Sequence, residues 1–511
     1  MNKRIRTILI FLAAFASIFI AIQQVLKFRL NNLLKEQEKH GIQITHDNIN
    51  LNILNGSASF KNPTVQLYPV ANIGFVGDMT LENFKISDIH YLNLLFSGNL
   101  DIEAITLNKP RAAFKTAPID STLIDHKNGG KKLGLAIKLK ELVLNESLVT
   151  IHDGQTDSLL LSLKNFNLNV MDIEISDRTV AHSIPFIGED YKVKSDAIFI
   201  KISPYENLQI AHVNGDHHYT FLSEITYGTT LSKNDFDASL IEEKDHYNIY
   251  IDSVQFQNLG LKSTGQEDLI SFSAQKINIV KPEIAIYRNK LLADSYSVKP
   301  MYSRLLRDSP INILIDYLQI RDASFTYVEK SKPNNEGGQL ELKNLNIDIT
   351  HLGNRYEDDT KVHITSLFMG SAPLEATWSF DVLDPTDAFT FKGELHELAL
   401  EELNKFTQPY ADTSLEGIMH NVYFNINGND DNSTMDLKCM FNDVGIFLLK
   451  PGTSKKKKLL SSLVNVLVSS NSKHRADPSK QVTVRVERDK TKSSWNYIFK
   501  NIEEGMKKAL L

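Results

Sequence analysis

Cysteine is nearly missing from this chain. Only Cys439 occurs in 511 residues, which excludes an intrachain disulfide and any multi-cysteine metal site. A lone cysteine of this kind is best placed as a small buried residue. A strong charge of one sign is missing as well. The formal net charge is −6, without the basic excess of a nucleic-acid binder. Catalytic signatures are absent: there is no GxSxG elbow, HExxH helix, P-loop or GxGxxG fingerprint. The 15 histidines are scattered, and only His217 and His218 are adjacent. Neighbours on a strand point to opposite faces, so that pair reads as surface and not as a metal site. Asn427–Asn432 is rich in oxygen ligands but lacks the EF-hand spacing and closing Glu, so it reads as a hairpin loop. Adjacent acids such as Glu242-Glu243, Asp358-Asp359 and Glu401-Glu402 follow from a content of 62 acids and carry no glycosidase signal. The expectation is a protein that is not an enzyme and uses no metal or cofactor.

Long helical periods are absent from Ile42 to about Leu449. Only Tyr302–Arg307 and Leu400–Phe406 read as short helices. Elsewhere β-branched and aromatic residues mix with polar ones, as in Asn167–Ile175, Ala197–Ile202, Tyr247–Val254 and Thr360–Leu367. Loops rich in Gly, Asn, Asp or Pro separate them, at Asp125–Lys131, His152–Asp157, Asn214–His217, Lys332–Gln339 and Asn427–Ser433. The 42% hydrophobic content suffices for a core. So many strands without intervening helices exclude a parallel α/β sheet. They predict a mainly β fold: a long antiparallel sheet, strongly twisted and curled into a groove.

What is present is a repeat. Ile105–Phe114, Leu142–Ile151, Ile277–Ile286 and Leu318–Tyr327 share a ten-residue pattern, and Leu51–Phe60 is a looser copy. Apolar residues take places one, three, eight and ten. Alternation is the mark of a strand with one face on a core. Places three and eight are an odd number apart, so a straight strand would put them on opposite faces. The centre must therefore hold a bulge or tight turn, for which Lys-Pro, Asn-Gly and Asp-Ala are suitable. Leu139–Ile151 aligns with Ile315–Tyr327, Leu163–Val170 with Leu342–Ile349, and Ile105–Phe114 with Ile277–Ile286. The three offsets are nearly equal and predict a duplicated unit of roughly 175 residues. Leu81–Ile86 is a further relative of the Leu163 strand.

The termini differ from the body. A basic head with Lys3, Arg4 and Arg6 precedes an apolar run from Ile8 to Ile22, which with Gln23–Leu26 is about long enough to span a bilayer, and no small-x-small cleavage site closes it. It predicts an uncleaved transmembrane anchor with a cytoplasmic N-terminus. Phe28–Lys39 continues as a stalk helix that ends at His40-Gly41. Near the other end come Lys455–Lys458, the apolar run Leu459–Ser470, a loop at Arg475–Lys480 and a strand at Gln481–Arg488. Ser493–Leu511 is an amphipathic helix with Trp495, Ile498, Phe499, Ile502, Met506 and Leu510 on its apolar face. The expected organisation is anchor and stalk (1–41), first β repeat unit (42–175), connecting β region (176–300), second β repeat unit (301–450) and C-terminal segment (451–511).

The anchor, the stalk, the stretch ITHDNINLNILNGSASFKNPTVQL and the motif ITLNKPRAAF resemble the start of AsmA-like envelope proteins. Leu398–Phe406, Gln408-Pro409 and Ser414–Gly417 resemble that family's late helix–Pro–Gly passage, and NVYFNINGND its next strand. The tail ERDKTKSSWNYIFKNIEEGMKKAL resembles that of Bacteroidetes-type members. The resemblance implies a periplasmic protein of the inner membrane. It implies a taco-shaped β groove that carries phospholipid acyl chains during envelope biogenesis, and it brings no catalytic residues. The inward places of the repeats would then line the lipid path: Ile105, Leu107, Phe114, Leu142, Leu144, Ile277, Ile279, Leu318, Ile320 and Phe325. Expected partners are membrane lipids, the inner membrane through the N-terminal helix, and envelope or outer-membrane proteins, with no nucleic acid. The alternative is a scaffold for outer-membrane protein assembly that binds extended strands by β-augmentation.

Overall fold

The computed structural model describes residues 42–52, 55–68, 74–89, 100–117, 137–175, 190–264, 269–450 and 479–510. The expected anchor and stalk, the Asp125–Lys131 loop, Lys455–Lys458 and Leu459–Ser470 lie outside them. Among the described residues no helix is long and apolar enough to cross a membrane. Of these residues 67% are strand and 11% helical.

The chain divides into two compact units. Unit 1 comprises Met1–Ile202, Gln209–His217 and Lys262–Asp268, and unit 2 the remainder. Unit 1 holds β1 (Ile42–Thr45), β2 (Asn48–Asn52), β3 (Ser57–Lys61), β4 (Thr64–Leu67), β5 (Phe75–Thr80), β6 (Asn83–Ile89), β7 (Leu100–Asn108), β8 (Arg111–Thr116), β9 (Ile137–His152), β10 (Leu159–Ile175), β11 (Asp190–Ser195) and β12 (Ala197–Lys201). The chain passes between the units within β13 (Glu206–Asp216) and β16 (Gly260–Thr264). Unit 2 holds β14 (Tyr219–Thr229), β15 (Asp245–Gln257), β17 (Leu269–Asn289), β18 (Asn312–Lys330), β19 (Gly338–Gly353), β20 (Thr360–Phe368), β21 (Ala372–Phe380), β22 (Phe389–Ala399), β23 (Thr413–Gly428), β24 (Asn432–Leu448) and β25 (Lys480–Glu487). Its helices are α1 (Lys233–Ser239), α2 (Tyr302–Arg307), α3 (Asn404–Ala411, entered through a 3₁₀ turn at Leu400–Leu403) and α4 (Ser494–Leu510).

The sheet is mixed, which corrects the antiparallel expectation. Both β7 and β8 run parallel to β9, and β17 runs parallel to β18. The repeat explains these pairs. The copies at Ile105 and Leu142 lie side by side in matching places: Ile105 faces Leu142, Leu107 faces Leu144 and Phe114 faces Ile151. In unit 2, Ile277 faces Leu318, Ile279 faces Ile320 and Ile284 faces Phe325. Each unit thus contains one parallel pair of like strands.

Place five of all four copies is a non-glycine residue with positive φ: Lys109 (48°), Glu146 (48°), Lys281 (47°) and Asp322 (53°). The neighbouring strands follow suit at Asn165 (46°) and Asn344 (50°). The register shifts at these points, between Leu163 and Leu168 in β10 and between Ile320 and Phe325 in β18. These are bulges, as the parity of the repeat requires. Pro110 and Pro282 stand directly after the bulged lysines, where the ladder needs no N–H. The looser copy solves the same problem by a turn: Gly56 (φ 64°) joins β2 to β3, and Leu51 faces Ala58.

The helices at Tyr302–Arg307 and Leu400 onward form as expected, although α3 runs through Pro409 to Ala411 and ends on left-handed Asp412. α1 was not expected. Its signal was a Ser-x-x-Asp box, in which Ser232 accepts the Asp235 N–H at 3.3 Å and donates to its carboxylate at 2.6 Å. Asn214–Asp216, expected as loop, continues β13 because it pairs with Lys192–Lys194 of β11.

Candidate functional site

The register turns the alternating strands into rows of apolar side chains. In unit 1 one row runs Ile49–Phe60–Phe84–Leu107–Leu144–Leu168–Val193 across seven strands. A second, two residues along each strand, runs Leu51–Ala58–Ile86–Ile105–Leu142–Val170–Tyr191. Beyond the bulge line, Phe114 lies in a third row, from Ile42 through Leu67, Gly77, Ile151 and Leu161 to Ile200. The opposite face is mostly polar, with Asn50, Ser59, Lys85, Thr106, Asn169 and Lys192 beside one apolar member, Val143, in the intervening positions. Ile105 and Leu142 pack against a small core of Ile102, Leu139, Val170 and Ile173. Leu107, Phe114 and Leu144 are half-buried. No helix occurs among the described residues of this unit.

In unit 2 the corresponding row crosses eleven strands: Leu222–Val254–Ile279–Ile320–Ile347–Ile364–Ala376–Gly393–Phe424–Leu437–Val482. Gly393 is small because the Phe424 ring occupies its side-chain space; a Cβ there would meet that ring at 2.3 Å. Burial changes along the row. Leu222, Ile279, Ile320, Ile347 and Val482 are half-buried, whereas Val254, Ile364, Ala376, Phe424 and Leu437 are buried. Ile277 and Leu318 share the next row; Ile277 is buried and Leu318 half-buried. Phe325 lies beyond the bulge beside Ile284 and Leu342, and both Ile320 and Phe325 pack against the main core.

α4 covers the last strands of this row, packing on β23, β24 and β25. Its buried side consists of Ser494, Tyr497, Ile498, Asn501, Gly505 and Ala509. Ile502, Met506 and Leu510 pack at its flank, while Trp495 and Phe499 are 37% and 52% exposed. The buried side is therefore turned about a quarter turn from the expected stripe. The reason is close approach. Gly505 sits where a Cβ would lie 2.1 Å from the Met435 Cε, and Asn501 fits by accepting from Ser433 Oγ and donating to the Tyr497 carbonyl, both at 2.9 Å. Trp495 is left with its ring edge-on to Trp378 and Phe391. Arginines anchor the passage into α4. Buried Asp387 accepts from Ser303 (2.8 Å), Arg304 (2.5 Å) and Arg307 (2.9 Å), and Asp430 pairs with Arg304, Arg488 and Lys490.

A polar rim closes the apolar rows of β15, β17 and β18. Arg288 donates to Asp245 at 2.6 Å, and Tyr327 to Glu329 at 2.6 Å. Burial, with Asp245 beside it, pushes the Tyr247 hydroxyl up to about 12. Burial and then the Glu329 charge push Tyr327 upward as well. These tyrosines stay neutral and donate. Among the described residues no cluster of His, Cys, Asp or Glu could hold a metal. His217 pairs with Asp190, and His218 meets Asn258 at 3.3 Å. An open depression of ≈ 860 Å³ lies in unit 1 around Arg111, Glu146, Lys164, Asn165 and Lys194. It is on the polar face at the bulge line and shares no lining residue with the apolar rows.

All ten residues expected from the repeats thus fall on apolar rows, five in each unit. The reading by repeats missed the members between them, such as Phe84, Leu168, Val254 and Ile347, which carry the same alternation without the ten-residue pattern. No protein-family model matches the chain, and no curated protein matches it.

Proposed function

We propose that this chain is a membrane-anchored, non-enzymatic protein of the bacterial envelope that holds lipid acyl chains against its apolar sheet faces. The supporting observation is the set of unbroken apolar rows, seven strands wide in unit 1 and reaching eleven in unit 2, with many half-buried members. An aliphatic chain lying along such a row is desolvated by it. Each methylene removed from water contributes about 0.8 kcal/mol, so an acyl chain gains several kcal/mol even when half-covered. The polar opposite face suits water. The resemblance to AsmA-like envelope proteins points the same way, and so does the apolar run at Ile8–Ile22.

The test is lipid extraction from the full-length chain purified in a mild detergent, compared with Leu107→Asp and Leu144→Asp together. These two residues face each other and are half-buried, so a solvated trough wall accepts the charges. The double variant is expected to melt within a few degrees of the parent and to carry markedly less phospholipid. Unchanged lipid in a folded variant refutes the proposal, and a collapse in melting temperature shows that this face is ordinary core.

A further inference from the structure

The three most exposed large apolar side chains among the described residues are Ile241 at 89%, Tyr296 at 80% and Val298 at 67%. They come from two separate segments of unit 2 that meet. Glu242 and Ala293 form a parallel bridge, and the Glu243 N–H donates to the Ala293 carbonyl at 2.9 Å. Leu291, in the same place, is 46% exposed. The Lys299 N–H donates to the Lys490 carbonyl at 2.8 Å, so the segment leading into α4 joins them.

Ion pairs stand at the base of this apolar tip, and the carboxylate of Glu242 is exposed beside Ile241. Glu243 is buried and is reached by Lys290 at 2.7 Å, Lys492 at 3.7 Å and Arg288 at 3.8 Å. Asp294 is held by Lys492 at 3.0 Å. These pairs tie the tip to the start of β15 and to the stretch before α4. Lys299 has no carboxylate within ion-pair distance among the described residues, and burial with the Arg288 charge beside it lowers its pKa.

We propose that this tip is a bilayer-docking surface, in which Ile241, Leu291, Tyr296 and Val298 enter the headgroup–acyl boundary while Lys299 meets lipid phosphate. The four apolar residues stand on loops, two to five positions apart along the chain or across one bridge. They do not share one face of a strand or helix. A protein partner needs a complementary flat or concave area of its own, whereas a fluid bilayer closes around separate protruding side chains. Tyrosine is at home at that boundary, where its ring is apolar and its hydroxyl wet. The ion pairs already hold the tip in place, which lowers the loop entropy lost on docking. This contact is independent of whether the apolar rows carry lipid.

The test uses the full-length chain in vesicles of phosphatidylcholine, with and without phosphatidylglycerol. Cys439 is fully buried and is the only native cysteine, so a fluorophore on Tyr296→Cys reports one place. Lys361→Cys, exposed on the polar face of β20, is the control. Spin-labelled lipid is expected to quench the label at 296 at least about twofold more than at 361, with a modest gain from phosphatidylglycerol. Adding Ile241→Asp and Val298→Asp should abolish the difference while leaving co-purified lipid unchanged. Equal quenching at 296 and 361 overturns the proposal. Protection of the 296 label from aqueous iodide without lipid quenching also overturns it, in favour of a protein surface. If the lipid-extraction test fails while 296 is still quenched, only the acyl-chain reading falls.

Discussion

Ile498 and Phe499 are neighbours on α4 that sequence periodicity places on one apolar face, yet they are 3% and 52% exposed respectively. Replacing each by Ala separates the two descriptions. Ile498 stands over a sheet whose rows there are fixed by β-ladder hydrogen bonds on both sides, so the space it vacates cannot collapse. Truncating a buried Ile to Ala costs about 2–5 kcal/mol, and the rigid surroundings favour the middle of that range, about 3 kcal/mol. Phe499 loses only half a side chain's burial, and a change within about 1 kcal/mol is expected. For a unit of this size 1 kcal/mol shifts the melting temperature by about 1.5–2 °C. Ile498→Ala should therefore lower the transition of unit 2 by roughly 5 °C, and Phe499→Ala by no more than about 2 °C. Calorimetry of the two variants beside the parent is the assay. Ile498→Asp should in addition loosen α4 and uncover Ile426, Met435 and Leu437, each at most 1% exposed, raising the binding of a fluorescent apolar dye. Equal shifts for the two alanine variants, or a larger one for Phe499, would refute the assignment of the buried side and with it the account of how the row is covered.

Two further outcomes follow from local structure. A left-handed backbone costs most residues on the order of 1 kcal/mol relative to glycine, so Lys281→Gly and Asp322→Gly should stabilise unit 2 slightly or leave it unchanged. Asp322→Val should destabilise it measurably by denaturant titration. Asp348 is buried enough for desolvation to raise its pKa, but Arg321 at 2.6 Å, with Tyr317 and Gln319, outweighs this and holds it down at about 2. A depressed carboxylate stabilises above its unfolded value, near 3.8, and that stability is lost as pH falls through the folded value. Between about pH 4 and pH 2 the chain should lose on the order of 1–2 kcal/mol from this group alone, and Asp348→Asn should flatten that part of the pH–stability curve.

Much of the fold was legible because parity is a strict constraint. Places one, three, eight and ten could share a face only if place five broke the strand, and the backbone at Lys109, Glu146, Lys281 and Asp322 does so. The parallel pairs were not legible from alternation, which is the same in either direction. The clue was in the repeat itself, since two copies running the same way match place for place only when parallel. The α4 face is legible only in part, with Ile498, Ile502, Met506 and Leu510 on the core but Trp495 and Phe499 exposed, because periodicity weighs large apolar residues. The actual contact is set by Gly505, Asn501 and Ala509, whose smallness or internal hydrogen bonds allow the helix to lie close. The half-buried character of Leu107, Leu144 and Ile279 depends on which elements cover each row, and no local pattern encodes that.

The line of left-handed residues has a consequence for how the strands find one another. Alternation forbids a strand from slipping by one residue, because every apolar side chain would turn to water. It does not forbid a slip of two, which restores the face and costs only a pair of contacts at the ends. A kink at a fixed point in each strand removes that freedom. If β18 slid two places along β17, Asp322 would no longer stand beside Lys281, and two bends would have to be absorbed where the ladder has room for one. The bulges thus act as alignment marks, each arriving strand being seated by the bend of the one before it. This would let a long, monotonous sheet with near-identical strands assemble in a single order.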